Sequence, residues 1–152
     1  MARLFVGSVL VVCVSFLATT TAQRSQAASV EVYKSPTCGC CSKWVDHLKA
    51  AGLTARTTDT EAVDELKNKH GVPRQVRSCH TALVGGYVIE GHVPVADVQG
   101  LLKERPASAG AGVPGMPIGS PGMEVAGIKP QAFDVIAFAK HGSTRVFASH
   151  NK

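Results

Sequence analysis

Apolar positions along the chain alternate over short stretches and recur at helical spacing between them. The stretch ASVEVYK (residues 28–34) alternates apolar and polar side chains, which predicts a strand. Apolar side chains then recur at the i, i+3, i+4 and i+7 positions of a helix: Cys41, Trp44, Val45 and Leu48. Gly52 follows, where a helix commonly ends. The first part of the chain therefore predicts a strand, a turn and a helix.

Similar patterns continue through the middle of the chain. The stretch LTARTTD (residues 53–59) predicts a second strand, and Thr58 with Glu61 predicts a capping box at the start of a second helix. Two apolar runs within TALVGGYVIEG predict a β-hairpin. A third helix is predicted to begin at Pro94, with one apolar face: Val95, Val98, Leu101 and Leu102.

This order of elements, with Cys-x-x-Cys at the start of the first helix, is typical of thioredoxin-like proteins. We therefore predict an α/β, thioredoxin-like three-layer fold with a central mixed sheet over residues 28–126. Residues 106–126 form a Pro/Gly-rich loop, and within residues 106–121 we expect neither a helix nor a central strand. Residues 131–150 predict a C-terminal β-hairpin that joins the sheet or packs beside it.

The first 22 residues have the pattern of a secretory signal peptide. Arg3 precedes an apolar run, which is followed by small residues ending at Ala22. Cleavage after Ala28 and an uncleaved membrane anchor are the alternatives, but the run is short of the roughly 20 residues that a spanning helix needs. We expect a periplasmic protein that has no membrane contact after cleavage.

The charge pattern argues against a nucleic-acid partner. The formal net charge is +5, but the basic residues are scattered and few aromatic side chains accompany them. We interpret this charge as favouring solubility.

Four cysteines remain after removal of the signal: Cys38, Cys40, Cys41 and Cys79. A helix N-terminus stabilises the thiolate, and Cys38 and Cys41 have the spacing of a disulfide pair. Cys40 needs another partner. Cys79 is the obvious one, because in a thioredoxin-like chain the loop before the third strand of the sheet faces the cysteine loop.

Three roles are open for these sulfurs: a structural disulfide framework, a catalytic thiol pair, or metal ligation. A structural framework is disfavoured because disulfides between cysteines so close in sequence would close loops too short to stabilise the fold much. A general disulfide reductase is disfavoured because no proline directly precedes the third strand, and thioredoxins dock their substrates against a proline at that point. Metal ligation is favoured. We expect the adjacent Cys40 and Cys41 not to reach one ion easily, which favours a shared or polynuclear copper(I) site over a tetrahedral zinc site.

Methionine and histidine side chains add further candidate ligands. Met116 and Met123 lie in the Pro/Gly-rich loop and offer thioethers that suit Cu(I), although a methionine also commonly fills a gap in a core. His80 and His92 flank the predicted hairpin, as ligands or as groups that support ligands, although a lone histidine is usually a surface or hydrogen-bonded residue.

Three segments together resemble a known family: YKSPTCGCCSKWVDHL, SCHTALVGGYVIEGHVP and VPGMPIGSPGME. They are similar to the small periplasmic copper-resistance proteins of the CopG type, long catalogued as a bacterial domain of unknown function. The resemblance covers Val30 to Glu124. It implies a thioredoxin-like fold, export to the periplasm, and copper bound by the Cys-x-Cys-Cys loop with the separate cysteine as a multinuclear, redox-active cluster.

The leading hypothesis is a periplasmic copper-binding protein of copper resistance, a metal-binding protein rather than an enzyme. Its expected partners are the metal ion and other periplasmic copper-handling proteins. The alternative is a thioredoxin-like thiol–disulfide oxidoreductase that uses Cys38 and Cys41. A third hypothesis is a disulfide-stapled binding module without metal.

Overall fold

The structure is a computed structural model that describes residues 28–140 and 142–152, so the predicted signal peptide lies outside the described residues. Its regular elements follow in this order: β1 (Ser29–Lys34), α1 (Gly39–Ala50), β2 (Thr54–Asp59), α2 (Val63–Lys69), a 3-10 turn (Arg74–Val76), β3 (His80–Val84), β4 (Tyr87–Glu90), α3 (Val95–Glu104), β5 (Gly110–Gly112), β6 (Phe133–Phe138) and β7 (Thr144–His150). Among these residues, no helix is long and apolar enough to cross a bilayer.

The seven strands form one mixed sheet in the order β2-β1-β3-β4-β5-β6-β7. The pairs β1–β2 and β4–β5 are parallel, and the other neighbours are antiparallel. The α/β class with a central mixed sheet is therefore confirmed. Its description as thioredoxin-like stays a prediction.

Helices cover both faces of the sheet. The core consists of two clusters of buried apolar side chains, one on each face of the sheet. Successive side chains on a strand point to opposite faces, so Ala82 and Leu83 of β3 pack into different clusters. The larger cluster contains Ala82 with buried side chains of α1 and α3, including Trp44 and Leu101. The smaller one packs Leu83 under the segment that follows α2. The protein thus has three layers, with α1 and α3 on one face and α2 on the other.

A short central strand corrects one expectation from the sequence. The Pro/Gly-rich stretch contains β5, which lies between β4 and β6. A Cβ atom on Gly110 would collide with the carbonyl oxygen of Val88, and one on Gly112 would lie 2.6 Å from Cγ1 of Val76. Glycine therefore permits the close approach of neighbouring strands here. Glycine is usually rare in strands, but here the close packing of the neighbouring backbone leaves no room for a larger residue.

The predicted C-terminal hairpin is confirmed and joins the sheet. Strand β6 pairs with β5 on one side and with β7 on the other, and the register shifts between Val135 and Ile136. Between β6 and β7, His141 lies outside the described residues and Gly142 has φ +82°.

The predicted capping box is wrong. Thr58 lies within β2 and pairs with Tyr33, so its side chain cannot cap α2. The hydroxyl of Thr60 instead accepts the backbone N–H of Ala62 at 3.0 Å, just before the helix begins.

Candidate metal centre

The Cys-x-Cys-Cys loop is held at the junction of β1 and α1. The Cys38 backbone N–H donates to the carbonyl of Ser35 at 3.0 Å, which turns the chain into the helix. Lys34, at the end of β1, also donates to this carbonyl and forms an ion pair with Asp59 at 2.8 Å. These contacts fix the position of the loop relative to the sheet.

Four sulfur atoms converge at this point. The Sγ atoms of Cys38, Cys40, Cys41 and Cys79 all lie within 4.8 Å of one another. Cys38 and Cys41 are joined by a disulfide with a Cα–Cα distance of 5.4 Å. The Cys40 sulfur is 3.5 Å from that of Cys38, and the Cys79 sulfur is 3.4 Å from that of Cys41. The distant cysteine therefore faces the triplet, as expected from the sequence.

The expectation that adjacent Cys40 and Cys41 do not easily reach one ion stays a prediction, because Cys41 is bonded to Cys38 in this structure. Cys38 is the residue just before α1, so its sulfur lies between the helix and the loop. The Cys40 sulfur approaches it from the first turn, while the Cys41 sulfur is buried and meets Cys79. All four sulfurs therefore face one small region, although two of them are joined to each other in the disulfide.

His92 is oriented by a hydrogen bond to the Pro/Gly-rich loop. Its Nδ1 lies 2.9 Å from the carbonyl oxygen of Pro121, and a carbonyl can only accept. Nδ1 therefore carries the proton. In the neutral ring, Nε2 has the free lone pair, and it lies 3.0 Å from the Cys79 sulfur. Burial lowers the pKa of His92, which favours this neutral form.

His80 lies on the other side of the same sulfur. Its Nδ1 is 3.3 Å from the Cys79 sulfur, and its ring packs 4.5 Å from the Trp44 ring and edge-on to His92. The side chain is fully buried, and its Nε2 has no hydrogen-bond partner among the described residues. Burial and the neighbouring His92 place the pKa of His80 well below its usual value, so the ring is neutral.

Cys79 is the member shared by two groups of candidate ligands. It completes the set of four sulfurs, and it also forms a set with His80 and His92 whose ligand atoms lie within 4.8 Å. Burial, followed by the charge of Cys40, raises the pKa of Cys79 to about 11. Without metal it is therefore a thiol that donates to Nε2 of His92. A soft metal ion must displace this proton in order to bind.

The Pro/Gly-rich loop covers the first turn of α1. A Cβ atom on Gly122 would lie 2.7 Å from the carbonyl oxygen of Cys40, so only glycine allows this approach. The Ser78 hydroxyl donates to the carbonyl of Gly115. Met116 and Met123 directly follow these two glycines, and Met116 is half exposed. Both methionines therefore follow backbone positions that contact the site, and their role as ligands stays a prediction.

A buried charged network lies behind Cys79 and was not predicted from the sequence. The carboxylate of Glu90 accepts the backbone N–H of Ser78 and is paired with Lys67, both at 2.7 Å. Neither charged residue has a sequence signal of burial, since lysine and glutamate are usually exposed.

Solved structures resemble this arrangement over most of the chain. Two structures of copper resistance protein CopG, form 1 and form 2, are each 37% identical to it with a TM-score of 0.78. They cover 84% and 83% of this chain, respectively, and 100% of their own chains. The chain belongs to the CopG family.

A family model described as a protein of unknown function, DUF411, matches residues 76–123 of this CopG-family chain. That range includes Cys79, both candidate histidines and both methionines, whereas the cysteine triplet precedes it. No match is found among the curated proteins.

Proposed function

We propose that this protein binds copper for copper resistance, with Cu(I) held by the thiolates of Cys38, Cys40, Cys41 and Cys79. The single observation that carries this proposal is the convergence of four sulfurs from two distant segments. Thiolates select Cu(I) over hard cations, and membership of the CopG family favours copper over zinc. His92 and His80 are proposed as nitrogen ligands at the Cys79 side, and Met116 and Met123 as thioether ligands from the covering loop.

The disulfide sets a condition for full loading. Cys38 and Cys41 offer two thiolates only after the bond between them takes up two electrons. In the reverse direction, two thiolates pass one electron each to two Cu(II) ions, which yields two Cu(I) ions and the disulfide. The protein thereby couples the copper oxidation state to its own thiols.

An anaerobic Cu(I) titration of the reduced protein against a competing chelator tests the proposal. We expect tight binding that falls by at least about a hundredfold when Cys40 and Cys79 are both replaced by Ser, because two soft ligands are lost. Ser42→Ala, in the same helical turn, is the matched control and should leave binding unchanged. Undiminished binding by the double cysteine variant would refute the proposal.

Oxidation and copper loading should exclude one another. With the Cys38–Cys41 disulfide intact, Cys40 and Cys79 are the free thiols among residues 28–140 and 142–152. We expect a lower copper stoichiometry in this form than in the reduced protein, measured by metal analysis with a parallel thiol count. Full stoichiometry in the oxidised protein would contradict the proposed ligand set.

The proposed location is the periplasm, with other periplasmic copper-handling proteins as partners. The supporting observation is the signal-like pattern of residues 1–22. A reporter fused after residue 28 should be exported. Retention of the reporter in the cytoplasm would count against this location.

A thiol–disulfide oxidoreductase is the second candidate. The observation that favours it is a disulfide at the start of α1 with the free Cys79 sulfur 3.4 Å from Cys41. Turnover of a model disulfide by metal-free protein, abolished by Cys38→Ser, would support it. Tight copper binding without such turnover would reject it.

A further inference from the structure

A buried ion pair lies on the α2 face of the sheet, behind the candidate metal centre. Lys67 of α2 is 2% exposed, and Glu90 at the end of β4 is fully buried. Their side chains meet at 2.7 Å. Burial of two charges is costly, and a buried ion pair is often no more stabilising than apolar side chains of the same size. We therefore looked to the contacts of the pair for a role other than stabilising the fold.

The contacts of the Glu90 carboxylate point to that role. Oε1 accepts from the Lys67 ammonium and from the backbone N–H of Ser78, both at 2.7 Å. Oε2 accepts from the Thr81 hydroxyl at 2.7 Å, and this hydroxyl also accepts from Lys67 at 3.0 Å. The carboxylate thus holds both residues that flank the Cys79–His80 pair.

The backbone near Glu90 joins the other parts of the site. Its carbonyl accepts the N–H of Val113, where the chain enters the Pro/Gly-rich loop, at 3.0 Å. The next residue, Gly91, lies against the Ser78 side chain, donates to the carbonyl of His80 at 2.9 Å and precedes His92. Glu90 therefore contacts the segment around Cys79 by its side chain and the start of the Pro/Gly-rich loop by its backbone.

We propose that Glu90 is a positioning residue for Cys79: its carboxyl oxygen fixes the Ser78 amide and so places the Cys79 sulfur against Cys41 and His92. Lys67 keeps this buried carboxylate in place. The inference deepens the proposed copper site and rests on it only for the copper measurement described last. It requires that loss of the oxygen, not loss of the charge, frees Cys79.

Two double variants separate these possibilities. K67M/E90L removes the charges and the acceptor, whereas K67M/E90Q removes the charges but keeps an amide oxygen for the Ser78 N–H. Neither leaves an unpaired buried charge, so both are expected to fold. Asp97→Asn, which removes the carboxylate partner of His150 between α3 and β7, is the control outside the site.

The readout is the relative alkylation rate of the two free thiols in metal-free protein with the Cys38–Cys41 disulfide intact. Cys40 and Cys79 fall in separate tryptic peptides, so mass mapping gives the Cys79-to-Cys40 ratio. We expect this ratio to rise about tenfold in K67M/E90L, equivalent to about 1.4 kcal/mol, and to stay near the wild-type value in K67M/E90Q and Asp97→Asn. Global destabilisation would raise both rates together.

Equal ratios in the two double variants, whatever their size, would overturn the inference. A parallel rise of both thiols that follows the loss of unfolding free energy would also overturn it, because it would show a purely structural role. In the copper arm, K67M/E90L should bind Cu(I) about tenfold more weakly than K67M/E90Q. If the wild-type protein binds no Cu(I), the proposed function fails, while the labelling ratio still decides the role of Glu90.

Discussion

Single hydrogen bonds set the chemistry of the site before any metal arrives. The carbonyl of Pro121 determines which nitrogen of His92 carries the proton, and so leaves Nε2 directed at the Cys79 sulfur. Metal-ligating histidines commonly donate their other N–H in this way, which fixes the ring and raises its basicity. The covering loop therefore acts on the site through a backbone atom as well as through its methionines.

Replacement of His92 by Asn should weaken Cu(I) binding by about tenfold or more, because the shorter side chain cannot present a nitrogen to the metal at this position. Competition titration of the reduced protein measures the effect. His70→Asn, at the end of α2, is the control and should bind like wild type. Equal affinities for all three proteins would exclude His92 as a ligand.

Trp44 links α1 to the segment that carries His92. Its Nε1–H donates to the carbonyl of Val93 at 2.8 Å, and the side chain is fully buried. Trp44→Phe should lower the free energy of unfolding by about 1–3 kcal/mol, because it leaves a buried carbonyl without its donor. Urea denaturation checks this value. Tyr87→Phe removes a similar hydrogen bond to the Pro106 carbonyl that is only partly buried, so it should cost less.

The cysteines could be predicted from the sequence, but the residues that position them could not. Cys38, Cys41 and Cys79 carry recognisable spacing and chemistry. Glu90 does not, because all four residues of β4 are buried and the strand shows no alternation that would assign its side chain to a face. Its pairing with Lys67 depends on the packing of α2 against the sheet, which no local pattern encodes.

At the level of elements, the glycines of β5 allow the terminal hairpin to join the sheet. Gly110→Ala should lower the free energy of unfolding by about 1–3 kcal/mol, since the added methyl group meets the Val88 backbone, which cannot move aside. Thermal and urea unfolding measure the effect.

The matched control is Gly100→Ala in α3. Its new methyl group would make only an ordinary contact, 3.8 Å from Phe147, so helix propensity should stabilise the protein by up to about 1 kcal/mol. Equal free energies of unfolding for the two alanine variants would show that the close contact between Gly110 and Val88 does not exclude a side chain at position 110.

Periodic elements were predicted and non-periodic ones were not. The strands β1 and β2 and the three helices follow from alternation and helical spacing, and the hairpin β3–β4 from its central glycines. Strand β5 has only Gly-Ala-Gly, so no hydrophobic pattern marks it. It forms because its neighbours on both sides need a partner, which is a tertiary effect.

At the level of the whole molecule, buried neutral histidines predict a pH-dependent stability of the metal-free protein. The pKa of His80 is lowered well below 6.5 by burial, and that of His92 is lowered in the same direction. The unfolded chain therefore binds more protons below pH 6.5, and stability must fall as the pH falls through that value. Burial raises the pKa of Glu90 above 4.5, so the folded chain takes up a proton there as the pH falls, and this acts in the opposite direction.

Urea denaturation between pH 7.5 and 5.5 tests this prediction. We expect His80 to contribute a loss of up to about 1.4 kcal/mol per pH unit below its unfolded pKa. A stability that is flat or increases toward pH 5.5 in K67M/E90Q, which lacks the Glu90 carboxyl group, would contradict neutral, buried histidines.

The position of the Pro/Gly-rich loop late in the sequence affects when the site becomes covered as the chain is made. The loop begins after β5 and ends at β6, and these two strands pair with each other at its base. The loop is also closed on itself, because Gln131 donates to the Ile118 carbonyl at 2.8 Å. Until β6 has emerged, the chain cannot form the β5–β6 pair that closes the loop. The loop then does not cover the four sulfurs, although the N-terminal strands are already folding. Exposure to oxidants or stray metal is therefore greatest in unfinished chains.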